Sequence, residues 1–175
     1  KEILSQRDGV TEIFIETDHP VKKAINYDNI TGRISEGDWL ILNTTAVSLS
    51  LGTGGYHFVM ANTAHKKLSL TPGGHGMKVR YTPFQLKVSY AEEELYHWKD
   101  AFNYPLQLRD RLVFFGELHS MIPLLCSYIR YHCKMKVRIG YIMTDHAALP
   151  LLFSKNIDYL REKNLLDTVI TIGNA

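Results

Sequence analysis

VRIGYIMTDHAALPLLFSKNIDYLREKNLLDTVITI (Val137–Ile172) reads as strand, helix, strand. Val137–Met143 (VRIGYIM) has the apolar, β-branched character of a strand. Thr144-Asp145 then reads as the cap of a helix over about Ala147 to Lys163, with apolar residues at 149, 152, 153, 157 and 160. Asn164 is its stop, Asp167–Ile172 (DTVITI) is the next strand, and Gly173 opens the turn after it. Upstream, Leu112–Gly116 (LVFFG) is a continuous apolar run, as expected of a strand buried on both faces. Ser120 to Lys134 reads as a helix with Pro123 in its first turn, where proline is tolerated. Strand–helix–strand–helix–strand is the alternation of a parallel sheet, and three strands are half of a doubly wound one. This reading expects the α/β part to continue beyond residue 175.

The first ninety or so residues follow a different pattern. Val10–Glu16 alternates between turn signals at Asp8-Gly9 and Asp18-His19-Pro20, and Val21–Tyr27 can follow it as a second strand. Trp39–Leu42 comes after the turn Gly37-Asp38, and Tyr56–Ala61 and Lys78–Tyr81 supply two more strands. Short strands at regular spacing predict a small barrel or sandwich. Glu92–Trp98 reads as a short helix and Phe102–Arg111 as a connector containing Pro105. The expected fold class is therefore α+β in two parts. A small barrel- or sandwich-like β domain (1–90) and a connector (91–111) precede a partial, Rossmann-like parallel α/β domain (112–175).

Of the 175 residues, 45% are hydrophobic and 22% charged, an ordinary globular composition that argues against disorder. Lysine and arginine number 20 against 18 acids, a net charge of +2, and no basic block breaks the balance. A dedicated nucleic-acid surface normally shows a basic stripe, so none is expected. No apolar run approaches the ~20 residues that cross a bilayer, and Lys1-Glu2-Ile3 lacks a signal-peptide core. The expectation is a cytoplasmic protein without a membrane partner. Cys126 and Cys133 lie about two helical turns apart, too far for a disulfide, and read as thiols in a reducing compartment. Self-association is left open.

In open parallel sheets, ligands bind beyond the carboxyl ends of the strands, where helix N-termini also point. That rule selects Glu117-Leu118-His119-Ser120, Thr144-Asp145-His146 and Gly173-Asn174. Amides at the two helix starts favour an anionic group. The plain alternative is that Ser120 and Thr144 or Asp145 are helix caps. His119 and Ser120 are adjacent and do not face one another as base and nucleophile, and no G-x-S-x-G elbow surrounds the serine. His119, His146 and Asp145 are ligand types that suit zinc or iron, but no fixed Cys/His spacing marks a metal site, and the sequence leaves the cofactor unknown. A second candidate lies in the glycine segments Leu51–Gly55 and Thr71–Gly76. Gly54, Gly55 and His75, followed by Lys78 and Arg80, are able to approach and neutralise a phosphate. The dinucleotide fingerprint fails there, because no strand–glycine–helix context surrounds it. Tight hairpin turns explain the same glycines.

Four segments carry a resemblance: LNTTAVSLSLGTGGYHFVMAN (Leu42–Asn62), GMKVRYTPFQLKV (Gly76–Val88), ELHSMIP (Glu117–Pro123) and YIMTDHAALPL (Tyr141–Leu151). In them the chain resembles the N-terminal part of a bacterial family of unknown function, number 3866 among the domains of unknown function. The resemblance implies no activity. It implies a longer protein with another glycine-rich α/β stretch. It also implies that glycine stands in relatives where this chain has His146, which makes Asp145 the better candidate of the pair.

Together these readings lead to an enzyme or binder of an anionic or phosphorylated small metabolite at the C-terminal strand edge. His119 and Asp145 would be its proton-transfer groups, and Ser120, Thr144 and Gly173 would contact the ligand. The competing expectation is a non-catalytic assembly module with a structural β domain.

Overall fold

The computed structural model describes residues 2–52, 54–67, 73–103, 108, 110–134, 136–144 and 149–172. The fold is mixed α/β, and its contacts divide the chain into two compact units, Lys1–Arg109 and Asp110–Ala175.

The first unit is built on a hairpin. β1 (Glu2–Arg7) turns through Asp8-Gly9 into β2 (Val10–Phe14), with Arg7 opposite Val10. Gly9 makes this turn at φ 75°, a left-handed conformation that glycine adopts without strain. β3 (Lys23–Tyr27) pairs antiparallel with β2, and the short helix α1 (Asp28–Thr31) follows it. β4 (Leu40–Asn43), the helical turn α2 (Thr45–Ser48) and β5 (His57–Asn62) complete the sheet, in the order β1-β2-β3-β5-β4. β5 pairs antiparallel with β4 but parallel with β3, through Ala24 opposite His57 and Ile25 opposite Phe58. One face buries Ile13, Ile15, Ala24 and Val59 against Ile34, Leu40 and Leu42.

Two expectations are corrected here. The sheet does not close into a barrel: β1 and β4 each end it as an edge. Closure depends on which strands pair across the fold, and period-2 alternation carries no information about that. The strand expected at Lys78–Tyr81 lies earlier, as β6 (Gly76–Lys78), paired with β7 (Leu86–Val88) in a separate hairpin. Arg80 and Tyr81 belong to its turn. α3 (Ala91–Glu94) and a 3-10 turn, Tyr96–Asn103, follow.

A buried polar network joins β2, β3 and α1. Thr11 Oγ1 donates to both carboxylate oxygens of Asp28, at 2.9 and 3.0 Å. Asn26 Nδ2 donates to Asp28 Oδ1 (2.8 Å) and to the Gly32 carbonyl (2.9 Å), while Thr31 donates to Asn26 Oδ1. Networks of this kind stabilise only when every member is satisfied.

In the second unit, α4 (Ile122–His132) carries Pro123 in its first turn, as the sequence predicts. β8 (Gly140–Met143) and β9 (Thr168–Thr171) run parallel in the register Gly140↔Thr168 to Met143↔Thr171, and α5 (Lys155–Glu162) lies between them in sequence. Cys126 of α4, Ile157 and Leu160 of α5, and Leu166 form the core, with Tyr141 and Val169 packed against it. The helix expected over Ala147–Lys163 is shorter. Its first part is a 3-10 turn, Leu151–Phe153, preceded by Pro150 in an extended conformation, and Ser154 caps α5. Residues 145–148 lie outside the described residues.

The third expected strand is absent among the described residues. Leu112–Gly116 joins no ladder, and Leu112 and Phe115 are 81% and 95% exposed. A continuous apolar run predicts a central parallel strand only where both faces of the sheet are covered. Here the helices cover the Tyr141 and Val169 side, while Ile142 and Ile170, opposite one another in register, remain exposed.

Two measurements test the first unit. Asn26→Ala deletes three hydrogen bonds of a buried network, and urea denaturation is expected to show a loss of about 2–3 kcal/mol; a loss below about 0.5 kcal/mol contradicts the role given to Asn26. His57 is fully buried. Its Nε2 bonds the Val21 carbonyl at 3.2 Å, and its Nδ1 has no hydrogen-bond partner among the described residues. Burial, aided by the neighbouring His19, holds this imidazole below its ordinary pKa of 6.5. The unfolded chain therefore binds the proton more readily than the native one. Stability is full above about pH 6.5 and falls as pH drops below it. His57→Gln is expected to flatten the fall of the urea midpoint between pH 7.5 and 5; an unchanged slope refutes the assignment.

Candidate functional site

The most chemically specific side-chain cluster of the second unit is centred on His119. This residue opens a 3-10 turn, His119–Met121, closed by the Met121 amide on the Leu118 carbonyl at 3.0 Å. The turn runs directly into α4, which Cys126 and Ile122 seat on the core. His119 is half-buried, and its two ring nitrogens meet hydroxyls from two other elements. Nδ1 lies 3.1 Å from Tyr141 Oη on β8, and Nε2 lies 2.6 Å from Ser154 Oγ at the cap of α5. Ser154 is 4% exposed, and its Oγ also accepts the Ile157 amide at 3.2 Å.

The Ile157 amide occupies one lone pair of Ser154 Oγ, and an unprotonated His119 Nε2 would give the buried serine proton an acceptor 2.6 Å away. We assign that tautomer, in which His119 carries its proton on Nδ1 and donates it to Tyr141 Oη. Desolvation keeps His119 below the usual histidine range and raises the Tyr141 phenol above its own. Both effects favour the neutral forms. A neutral imidazole between two hydroxyls can accept a proton from one and return it, which is what a general base requires.

Other residues singled out from the sequence are placed differently. Ser120 is exposed and caps nothing: Met121 is the N-cap of α4, and no side chain bonds there. Glu117 is exposed and follows an unpaired segment, not a strand end. Thr144 is exposed immediately after β8. Asp145, His146 and Gly173 lie outside the described residues.

The glycine-rich candidates belong to the first unit. Gly54 and Gly55 (φ 66° and 77°) make a left-handed turn before β5. The His75 amide donates to both oxygens of Glu93, at 3.0 and 3.1 Å, and its ring lies 3.4 Å from the same carboxylate. A Cβ on Gly74 would stand 2.7 Å from the Val88 carbonyl oxygen, and one on Gly76 would stand 2.5 Å from the Tyr90 ring. Glycine at 74 thus avoids a backbone clash, while a side chain at 76 would have to displace the Tyr90 ring. Lys78 ends β6, and Arg80 stands exposed in the hairpin turn. Among the described residues no three His, Cys, Asp or Glu side chains are grouped to hold a metal ion, and no helix is long and apolar enough to cross a membrane.

Ser154 and Tyr141 were not foreseen, although each left a trace. Ser154 stands three residues before Ile157, in front of the amphipathic run KNIDYLREK, which is N-cap spacing. Tyr141 alternates with Ile139 and Met143 on the core side of its strand, where a phenol needs a polar partner.

Residues 23–175 match the family model described as "Protein of unknown function (DUF3866)". The chain belongs to the DUF3866 family. The match begins within β3 and takes in every residue of the His119 cluster. No curated protein and no solved structure matches the chain.

The tautomer assignment is open to direct measurement. Long-range ¹H–¹⁵N correlation spectra are expected to show His119 as the Nδ1–H tautomer, titrating below the ordinary histidine range. Tyr141→Phe removes the acceptor at Nδ1 and is expected to mix the two tautomers. An Nε2–H signal in the unmodified protein overturns the donor assignment.

Proposed function

We propose that the second unit of this DUF3866 protein carries a binding and proton-transfer site for an anionic small molecule, centred on His119. The single observation behind this reading is one imidazole held between Tyr141 Oη and Ser154 Oγ. In it, His119 takes up or releases the proton, and the two hydroxyls fix its tautomer and aim. We read β8, α5 and β9 as part of a Rossmann-like sheet, so that the site occupies the edge where β8 ends and both helices begin. Thr144 would reach the ligand from the strand end. Asp145, next in sequence, would orient a polar group or act as a second base. The start of α5 favours negative charge, phosphate or carboxylate.

A second reading has one observation in its favour. Ser154 is nearly inaccessible and caps α5. The cluster would then be a latch holding β8, α4 and α5 together in a non-catalytic module.

A thermal-shift screen of the full-length protein against inorganic phosphate, sugar phosphates and nucleotides separates the two. A ligand at ten times its Kd is expected to raise Tm by about 3–6 °C. The rise should vanish in His119→Gln and persist in Ser120→Ala. No shift with any compound, or a shift retained in His119→Gln, favours the latch.

A further inference from the structure

We infer that Ser154 is a nucleophile activated by His119, and that the anionic molecule of the preceding reading carries, beside its charged group, an ester or thioester of a carboxylic acid. The inference rests on that reading and deepens it.

Three features of the cluster carry the argument. First, the serine and the imidazole are partners across the fold. Ser154 Oγ lies 2.6 Å from His119 Nε2, inside the reach that proton abstraction needs. The neighbouring Ser120, by contrast, is exposed and has no such partner assigned to it. Second, the base has an orienting group: Tyr141 Oη stands 3.1 Å from the other ring nitrogen. Nucleophile, base and orienting group are thus hydrogen-bonded in series, which is the logic of catalytic triads independent of fold or chain order. Third, the serine heads α5: its Oγ takes the Ile157 amide, and the Asn156 amide lies in the first turn, where the helix itself supplies no acceptor. The Asn156 amide is the donor we assign to an oxyanion forming on a carbonyl at Ser154.

The step balances as follows. Ser154 Oγ attacks the acyl carbonyl as its proton passes to His119 Nε2. The tetrahedral oxyanion collapses, the bond from acyl carbon to leaving oxygen or sulfur breaks, and the leaving group takes the proton from His119. Water then attacks the acyl-serine, giving its proton to His119, which returns it to Ser154 Oγ as the carboxylic acid departs. No metal or redox partner takes part in these steps.

Access requires one local movement. Ser154 is 4% exposed, behind the 3-10 turn Leu151–Phe153. Two hydrogen bonds close that turn, from the Phe153 amide to the Pro150 carbonyl and from the Ser154 amide to the Leu151 carbonyl, each at 3.0 Å. On this inference the turn opens to admit the substrate, breaking those two bonds and lifting Leu151 from the core it packs against.

The test is covalent labelling of the full chain with a fluorophosphonate probe, with the adduct located by peptide mass spectrometry and p-nitrophenyl acetate hydrolysis followed in parallel. The expected result is one adduct, on Ser154, with both rates falling at least about 100-fold in His119→Gln. Ser154→Asn keeps a capping side chain and is expected to stay folded while losing both. Tyr141→Phe, altering a positioning residue, should displace the pH profile of labelling. No adduct on Ser154 in the folded protein, or labelling undiminished in His119→Gln, overturns the inference. If phosphate or nucleotide ligands still raise Tm through His119 while Ser154 stays unlabelled, acyl transfer fails and the binding site stands. If neither occurs, both fail.

Discussion

The second unit depends on one buried guanidinium. Arg130, 5% exposed in the last turn of α4, donates to the Leu165 carbonyl, to the Val137 carbonyl and to Asp167 Oδ2. The same carboxylate oxygen accepts the Ile139 amide at 2.6 Å. That amide, followed by Arg130, holds Asp167 below the usual carboxylate range. Three segments, α4 and the stretches leading into β8 and β9, are thereby joined, which sets the two strands side by side before their ladder begins. Three neutral or charge-assisted bonds from one rigid fork outweigh what a lone surface ion pair contributes, about 1 kcal/mol or less. Because Asp167 remains partly exposed, the pair also avoids the full desolvation penalty of a dry one.

This anchor reaches the site through α4. The helix is eleven residues long, about 16 Å, with Arg130 near one end and the His119 turn leading into the other. Docking the far end of α4 onto the strand entries fixes where its near end meets β8 and α5. Tyr141 is placed by the β8–β9 register and Ser154 by the seating of Ile157 and Leu160 in the core. The cluster is therefore set by three elements that share a single core. In the first unit the comparable constraint is the Thr11–Asn26–Asp28 network, which fixes how the chain leaves β3 and enters α1. Beyond it, the sheet is continued by a parallel junction of two paired residues on each strand, one of them the buried His57.

The strands of the first unit were legible because period-2 alternation and glycine turns act locally; Gly9 at φ 75° is the clearest case. Their joining was not, since β3 meets β5 across thirty residues and no local signal names a partner. In the second unit, Val137–Met143 and Asp167–Ile172 were visible as strands, whereas Leu112–Gly116 was misread. An apolar run reports how favourable burial would be, not whether a covered slot exists. The start of α5 was misplaced because Thr144-Asp145 and Ser154 both have capping chemistry, and only packing of Ile157 selects the latter. That misplacement hid Ser154, and with it the hydrogen-bond partner of His119.

A cap alone does not explain the imidazole. The Ile157 amide already satisfies one lone pair of Ser154, and N-capping contributes about 1 kcal/mol without help from a third residue. Burying half of a titratable ring costs desolvation, visible as the lowered proton affinity of His119. An apolar side chain in its place would pack against the same core without that cost. What the imidazole adds, and no apolar group can, is an acceptor for the serine proton on one side and a donor to a phenol on the other. A hydroxyl that accepts from the backbone and donates to a neutral imidazole is polarised from both ends, so its oxygen gains basicity only when the proton moves toward His119. On the proposed reading the serine proton is aimed at His119 Nε2 while Tyr141 holds the other ring nitrogen in place, an arrangement that a structural latch would not need.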